Sequence, residues 1–213
     1  MNLPSAAAPL RCLPRTIQCK SGLTVGLHHL AVEAGQRLID MYLAFQPRNS
    51  FQGLPPIKDA VCVRWVEDML RTGIHVTAQS GADAIVGHCA LFPINRQKCE
   101  MLVVVCPGFQ NLGIGTELVR SCIDLADELG FERIWLPVDS TNVRARHVYR
   151  KCGFEYVANQ HGRELDMACE VRRHRSTAAE TAKSTVTRVP PPYFQSPTAG
   201  LVTVAAMLDE IAS

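Results

Sequence analysis

Glu100-Met101-Leu102-Val103-Val104-Val105-Cys106-Pro107-Gly108-Phe109-Gln110-Asn111-Leu112-Gly113-Ile114-Gly115-Thr116 opens the stretch on which the fold turns. Met101 to Val105 is a nearly unbroken apolar run, the pattern of a strand buried on both faces. After a turn rich in glycine, Leu118, Cys122, Leu125 and Leu129 fall at i, i+4, i+7 and i+11, which predicts one helix ended by Gly130. A glycine turn between a buried strand and a strong helix gathers unpaired backbone N–H groups at the positive end of a helix dipole. Such a turn attracts an anionic phosphate, and glycine lets a ligand approach the backbone closely. Taken alone, G-x-G before a helix is equally a structural turn.

Two familiar phosphate loops are excluded. A Walker A loop needs G-K-[ST], whereas Thr116 and Glu117 follow Gly115. A dinucleotide fingerprint would need glycine at Leu118, and the strands before the turn read as antiparallel.

Working outward, Ile74 to Gln79 and Ala84 to Phe92 are β-branched and apolar and flank Ser80, Gly81, Ala82 and Asp83, which predicts a hairpin. Arg133 to Val138 returns as a strand. Asn142 then caps a short helix with Ala145, Val148, Tyr149 and Cys152 on one face, and Gly153 ends it. Further strands are expected near Phe154 to Val157 and over Glu164 to Glu170. Toward the N-terminus, Leu23 and Val25 read as a strand, and Leu38, Met41, Tyr42 and Phe45 mark a helix. Gln46 to Ile57, with three prolines, forms a loop. Val61, Trp65 and Met69 mark a second helix, with Gly73 expected as a left-handed cap. The implied division is a flexible leader over 1–21, one domain over 22–171, and a low-complexity tail over 172–213 with a short amphipathic helix at 201–211.

The 213 residues and 47% hydrophobic content suffice for one buried core. Lys and Arg number 22 against 20 Asp and Glu, so charge gives no reason to expect nucleic acid or a membrane surface as partner. The nine cysteines are odd in number and never spaced C-x-x-C, which argues against a disulfide framework or zinc ribbon and points to a reducing cytoplasm. No apolar run reaches the roughly 18 residues of a membrane span.

Gln110, Gly113 and Gly115 match Q/R-x-x-G-x-G/A, and Asn142, Ala145, Tyr149, Gly153 and Phe154 follow as Asn, small residue, Tyr and Gly-Phe. With Glu100 heading the strand that enters the loop, this resembles the GNAT superfamily of acyl-CoA-dependent N-acyltransferases, over about Leu23 to Glu170. The resemblance implies an α/β fold of the α+β type, with a mostly antiparallel, splayed sheet of about six or seven strands and about four flanking helices. It implies acetyl-CoA as acyl donor, held by Val103, Val105, Gln110, Asn111, Leu112, Gly113, Ile114, Gly115, Thr116, Asn142 and Tyr149. Leu112 stands where many relatives carry a basic residue or glycine, and Asn111 where glycine is common, which leaves phosphate binding to backbone amides.

Acetyl transfer to an amine needs a base, a polarised carbonyl and a protonated leaving thiolate. The resemblance places Glu100 as base, the Val105 N–H at the carbonyl and Tyr149 as acid. Each has a plainer reading: Glu100 as a carboxylate at a strand end, Tyr149 as a core aromatic, Asn142 as a cap only. In relatives acting on protein N-termini an acid often projects from the strand that here reads Ile134 to Val138, and Pro137 cannot serve. Cys106 adjoins the loop, but no histidine is placed by sequence to activate it. His28, His29 and His88 read as structural or surface residues and no spacing suits a metal. The acceptor is left open among small-molecule and protein amines, and the oligomeric state between monomer and homodimer. The rival reading is a non-catalytic sensor that binds acyl-CoA on the same fold.

Overall fold

The structure is a computed structural model and describes residues 11–30, 34–50, 54–81, 84–157 and 162–171. The first part of the expected leader, the tail over 172–213 and the helix at 201–211 lie outside the described residues. Along the chain come β1 (Arg15–Gln18), β2 (Thr24–His29), α1 (Gly35–Ala44), α2 (Asp59–Thr72), β3 (Ile74–Ser80), β4 (Ala84–Pro93) and β5 (Lys98–Val105). After them follow α3 (Ile114–Leu129), β6 (Arg133–Asp139), α4 (Val143–Lys151), β7 (Glu155–Tyr156) and β8 (Glu164–Glu170). The strands form one eight-stranded sheet in the order β1-β2-β3-β4-β5-β6-β8-β7, antiparallel except where β5 meets β6.

Two cores line the two faces of this sheet. On one, the α3 stripe of Leu118, Cys122 and Leu125 packs with Val76, Cys89, Met101 and Ile134, and Tyr149 and Phe154 join it. On the other, Leu38, Tyr42, Trp65 and Met69 of α1 and α2 pack against Val104. Alternation along β5 divides its side chains between the faces. Cys99, Met101, Val103 and Val105 lie toward α3, while Leu102 and Val104, and with them Glu100, lie toward α1 and α2.

Three sequence expectations need correction. The sheet has eight strands, more than the six or seven expected. The extra pairing begins inside the stretch assigned to a loose leader, where Arg15–Gln18 pairs with Thr24–Leu27. That strand carries a single strongly apolar residue, Ile17, and so gives no periodic signal. Gly73 does follow α2, but its φ of −105° is extended rather than left-handed. Its size matters for packing: an added Cβ would lie 2.8 Å from the Phe92 ring and 2.9 Å from that of His75.

Candidate active site

The pairing of β5 with β6 lasts for three rungs, Lys98–Arg133, Cys99–Ile134 and Glu100–Trp135, and then stops. Beyond it β5 stays on β4 as far as Gly87–Val105, and β6 stays on β8 as far as Asp139–Glu164. A gap therefore opens in the middle of the sheet. The Cys106 N–H donates to Val86 on β4, so alternation turns the N–H groups of Val103 and Val105 to the side that β6 has left. Likewise Arg133 donates its N–H toward Gln97, and the same alternation aims position 137 into the gap. Proline there removes a donor that has no ladder partner to lose.

The glycine turn closes the wide end. Gly113 is the N-cap of α3 with φ +94°, and Asn111 also takes a left-handed φ of +63°, a region that asparagine tolerates better than most side chains. Glu117 donates its N–H to the Gly113 carbonyl at 3.2 Å. The N–H groups of Ile114, Gly115 and Thr116 precede the first intrahelical bond and face outward from the helix end. A Cβ on Gly115 would meet only Val105, at an ordinary 3.5 Å. The fold thus does not require this glycine, and its smallness bears on what approaches the loop from outside. The Gln110 side chain turns back, its Nε2 donating to the Val105 carbonyl at 3.1 Å. Leu112 accepts from the Lys20 N–H at 3.3 Å, which docks the β1–β2 turn on the loop.

Asn142 accepts from the Ala145 N–H at 3.1 Å, so its capping role is present in the geometry. The preceding turn is pinned by Asp139, whose Oδ1 accepts from the N–H and hydroxyl of Thr141 at 2.8 and 2.6 Å. Its Oδ2 takes the Arg163 guanidinium at 2.8 Å. The Thr141 bonds, and then Arg163, hold the Asp139 carboxyl down at about 2. This fixed turn delivers Tyr149 into the core beside Phe154, with ring centroids 5.8 Å apart. Burial, with Cys89 nearby, pushes the phenol well above its ordinary value, so it stays protonated at neutral pH.

Glu100 is buried on the last rung of β5–β6 pairing, at the vertex of the gap, and lies on the α1–α2 face. Tyr149 lies on the α3 face. The two residues thus lie on opposite faces of the sheet. Cys106 is half-buried, with its thiol raised by burial, and its sulfur lies 4.0 Å from the Ile85 carbonyl, an environment that favours neutral thiol over nucleophile. His88 is fully buried, hydrogen-bonded to Tyr42 and His75. Among the described residues no three His, Cys, Asp or Glu side chains are grouped to hold a metal ion, and no helix is long and apolar enough to cross a membrane.

Sequence reasoning passed over Arg144. From the first turn of α4 its guanidinium donates to Gln110 Oε1 at 3.3 Å, placing a cation at the rim of the loop whose Leu112 lacks one. The available signal was an arginine two residues after the capping asparagine.

Comparison with known proteins agrees with this geometry. Streptothricin acetyltransferase of Streptomyces lavendulae is 41% identical over 54 residues, covering 25% of this chain and 29% of the relative. The uncharacterized N-acetyltransferase YvbK of Bacillus subtilis (strain 168) is 30% identical over 97 residues, covering 45% of this chain and 62% of the relative. The matched stretch therefore spans less than two thirds of either relative's length. Among solved structures, the GNAT domain of S. lividans PAT superposes with a TM-score of 0.64 at 14% identity, over 77% of this chain and 99% of that one. Spermidine N-acetyltransferase from Vibrio cholerae, in complex with CoA and spermine, gives 0.56 at 17% identity, over 69% and 95%. At those identities the likeness is one of fold. The sequence profile of the acetyltransferase (GNAT) family matches residues 38–154, more than half of the chain, and the chain belongs to that family.

Proposed function

We propose that the protein transfers an acetyl group from acetyl-CoA to a primary amine by direct attack, with no covalent enzyme intermediate. The observation that carries this reading is the gap between β5 and β6, with Glu100 at its vertex, the Val103 and Val105 N–H groups along its edge and the α3 N-terminus beyond it, and with Tyr149 buried on the α3 face. A thioester lying in this gap has its pyrophosphate at the N–H groups of Ile114, Gly115 and Thr116, with Arg144 at the rim, and its carbonyl beside β5. Gln110, Asn111, Leu112 and Gly113 shape the loop, and Asn142 holds the helix that carries Tyr149.

The amine enters from the α1–α2 face, past the loop of residues 46–57. An alkylammonium has a reference pKa near 10.4, so it must lose a proton before attack, and Glu100 on that face takes it directly or through water. The nitrogen lone pair adds to the carbonyl carbon while the Val105 N–H stabilises the developing oxyanion. Collapse breaks the C–S bond as Tyr149 on the opposite face protonates the sulfur; the proton shed by the adduct nitrogen restores the phenol through water, and Glu100 returns its proton to solvent, leaving an amide and free CoA thiol. Two of the proteins compared above are named for the amines streptothricin and spermidine, which supports an amine acceptor here.

The test is thiol release from acetyl-CoA with a panel of spermidine, streptothricin, an aminoglycoside and a lysine peptide, alongside melting with and without acetyl-CoA. Release with one amine supports the reading. A melting shift with no release under any amine would replace it with an acyl-CoA sensor, and neither shift nor release would overturn both.

A further inference from the structure

Three buried side chains outside this mechanism form one hydrogen-bonded chain across the sheet. Tyr42 and His88 are fully buried and His75 is 4% exposed. The Tyr42 hydroxyl on α1 lies 2.8 Å from His88 Nδ1 on β4. His88 Nε2 lies 2.9 Å from His75 Nδ1 on β3, and His75 Nε2 lies 3.0 Å from the Met69 carbonyl in α2. The carbonyl can only accept, so His75 carries its proton on Nε2. Neutral His75 then offers Nδ1 as acceptor, His88 must donate from Nε2, and the Tyr42 O–H must donate to His88 Nδ1. With both imidazoles neutral, one tautomer pattern satisfies every bond.

The place of this chain in the fold gives it a role. In the β4–β5 ladder His88 stands opposite Val104, and Phe92 stands opposite Glu100. His75 packs edge-on to Phe92 at 6.3 Å and stacks on His88 at 5.2 Å. Tyr42 also meets Trp65 of α2 edge-on at 4.9 Å. The chain thus ties α1 and α2 to the strands beside β5, on the face that carries Glu100. Where α1 ends and α2 begins, Arg48 binds the Leu43 and Ile57 carbonyls at 2.5 and 3.0 Å and Asp59 at 2.7 Å, so the junction of the pair is fixed as well. Gly73 lets the end of α2 sit against His75 and Phe92.

An apolar core would hold the helices as strongly but would let them slide; directional bonds between neutral groups fix their depth and tilt. We infer that Tyr42, His88 and His75 are positioning residues for the acceptor: through α1 and α2 they set the wall against which the amine is held near Glu100. This inference rests on the proposed entry of the amine on the α1–α2 face.

Tyr42→Phe keeps the ring and removes the hydroxyl that His88 Nδ1 accepts from. The expected result is a KM for the amine raised by roughly tenfold, as displacement far from the chemistry can produce, with the Kd for acetyl-CoA within about twofold of wild type. An unchanged amine KM in the folded variant would overturn the inference while leaving the acetyltransferase reading intact, because the wild type still releases thiol. The second measurement needs no variant: nitrogen NMR of the two imidazoles in the wild-type protein with CoA, titrated with the amine. Movement of the His88 and His75 resonances on amine saturation supports the coupling, and resonances that ignore the amine contradict it.

Discussion

Lowering the pH from about 7 to about 5 should destabilise this protein through two histidines that stay neutral while it is folded. Burial is the first cause for both: it pushes His75 down to about 4, and it pushes His88 well below the ordinary value with His75 adding to the effect. The Met69 carbonyl opposes the shift at His75, and His29 on β2 assists it. Around Tyr42 the neighbours are the thiols of Cys106, Cys62 and Cys89, which bring no positive charge. In the unfolded chain each imidazole titrates near 6.5. Below that value the unfolded state binds protons that the folded state refuses, so stability rises with pH across the window. The contribution is intact above about 6.5 and is lost as pH falls toward the folded value, at about 1.4 kcal/mol per pH unit for each histidine. At about pH 5 the loss from His75 is therefore on the order of 2 kcal/mol, with His88 adding to it in the same direction, a large part of a typical 5–15 kcal/mol. Urea unfolding at several pH values measures it, with a slope of at least about one proton between about pH 5.5 and 5. Replacing His75 by Gln should lower that slope by about one proton. A wild-type slope near zero in this window would refute the claim that the chain is neutral and buried.

Three other outcomes follow from the site. Tyr149→Phe should lower kcat by at least about tenfold with little change in acetyl-CoA affinity, since general acid help is worth roughly 100-fold or more; steady-state kinetics with calorimetric binding checks it, and equal kcat removes the phenol from the chemistry. Gly113→Ala places a side chain at φ +94°, which should cost about 1 kcal/mol of stability and weaken acetyl-CoA binding, measured by denaturation and calorimetry. Arg144→Ala should weaken acetyl-CoA binding and flatten its salt dependence without changing the melting temperature, because the guanidinium is exposed and its bond among the described residues is to the Gln110 side chain.

Much of this fold is local and could be read from local patterns. The α3 stripe, the Asn142 cap and the left-handed glycine at 130 are written in adjacent residues, and the structure places them there. The strand at Arg15–Gln18 exists because β2 offers it an edge, a fact stored six to twelve residues away in the partner. Gly73 was misjudged for a related reason. A glycine after a helix commonly turns left-handed, but here β3 begins at the next residue and the backbone passes straight into it, so the constraint is the pair of rings from His75 and Phe92. The glycine turn was legible because the N–H groups it gathers belong to the backbone within one turn. The hydrogen-bonded chain on the α1–α2 face was not. Tyr42, His88 and His75 are joined across 46 and 13 residues, and a lone histidine in an apolar strand says nothing about which other histidine will face it.

The gap itself lies between these extremes, and Pro137 explains why. Trp135 occupies the last rung shared with β5, and a proline there would delete a donor on the side where pairing is still present. Two residues on, β5 has left, the other edge of β6 is still paired with β8, and the missing N–H costs the sheet nothing. The proline also bars β5 from bonding at that position, which keeps the Val103 and Val105 N–H groups available to a carbonyl from outside the chain. Glu100 gains its position from the same geometry. One rung farther along β5 a carboxylate would point to the α3 face, and farther still it would sit beside an open edge. At the vertex it is buried by the closed part of the sheet while facing the α1–α2 side, so in the proposed reaction the residue that ends the pairing is also the base.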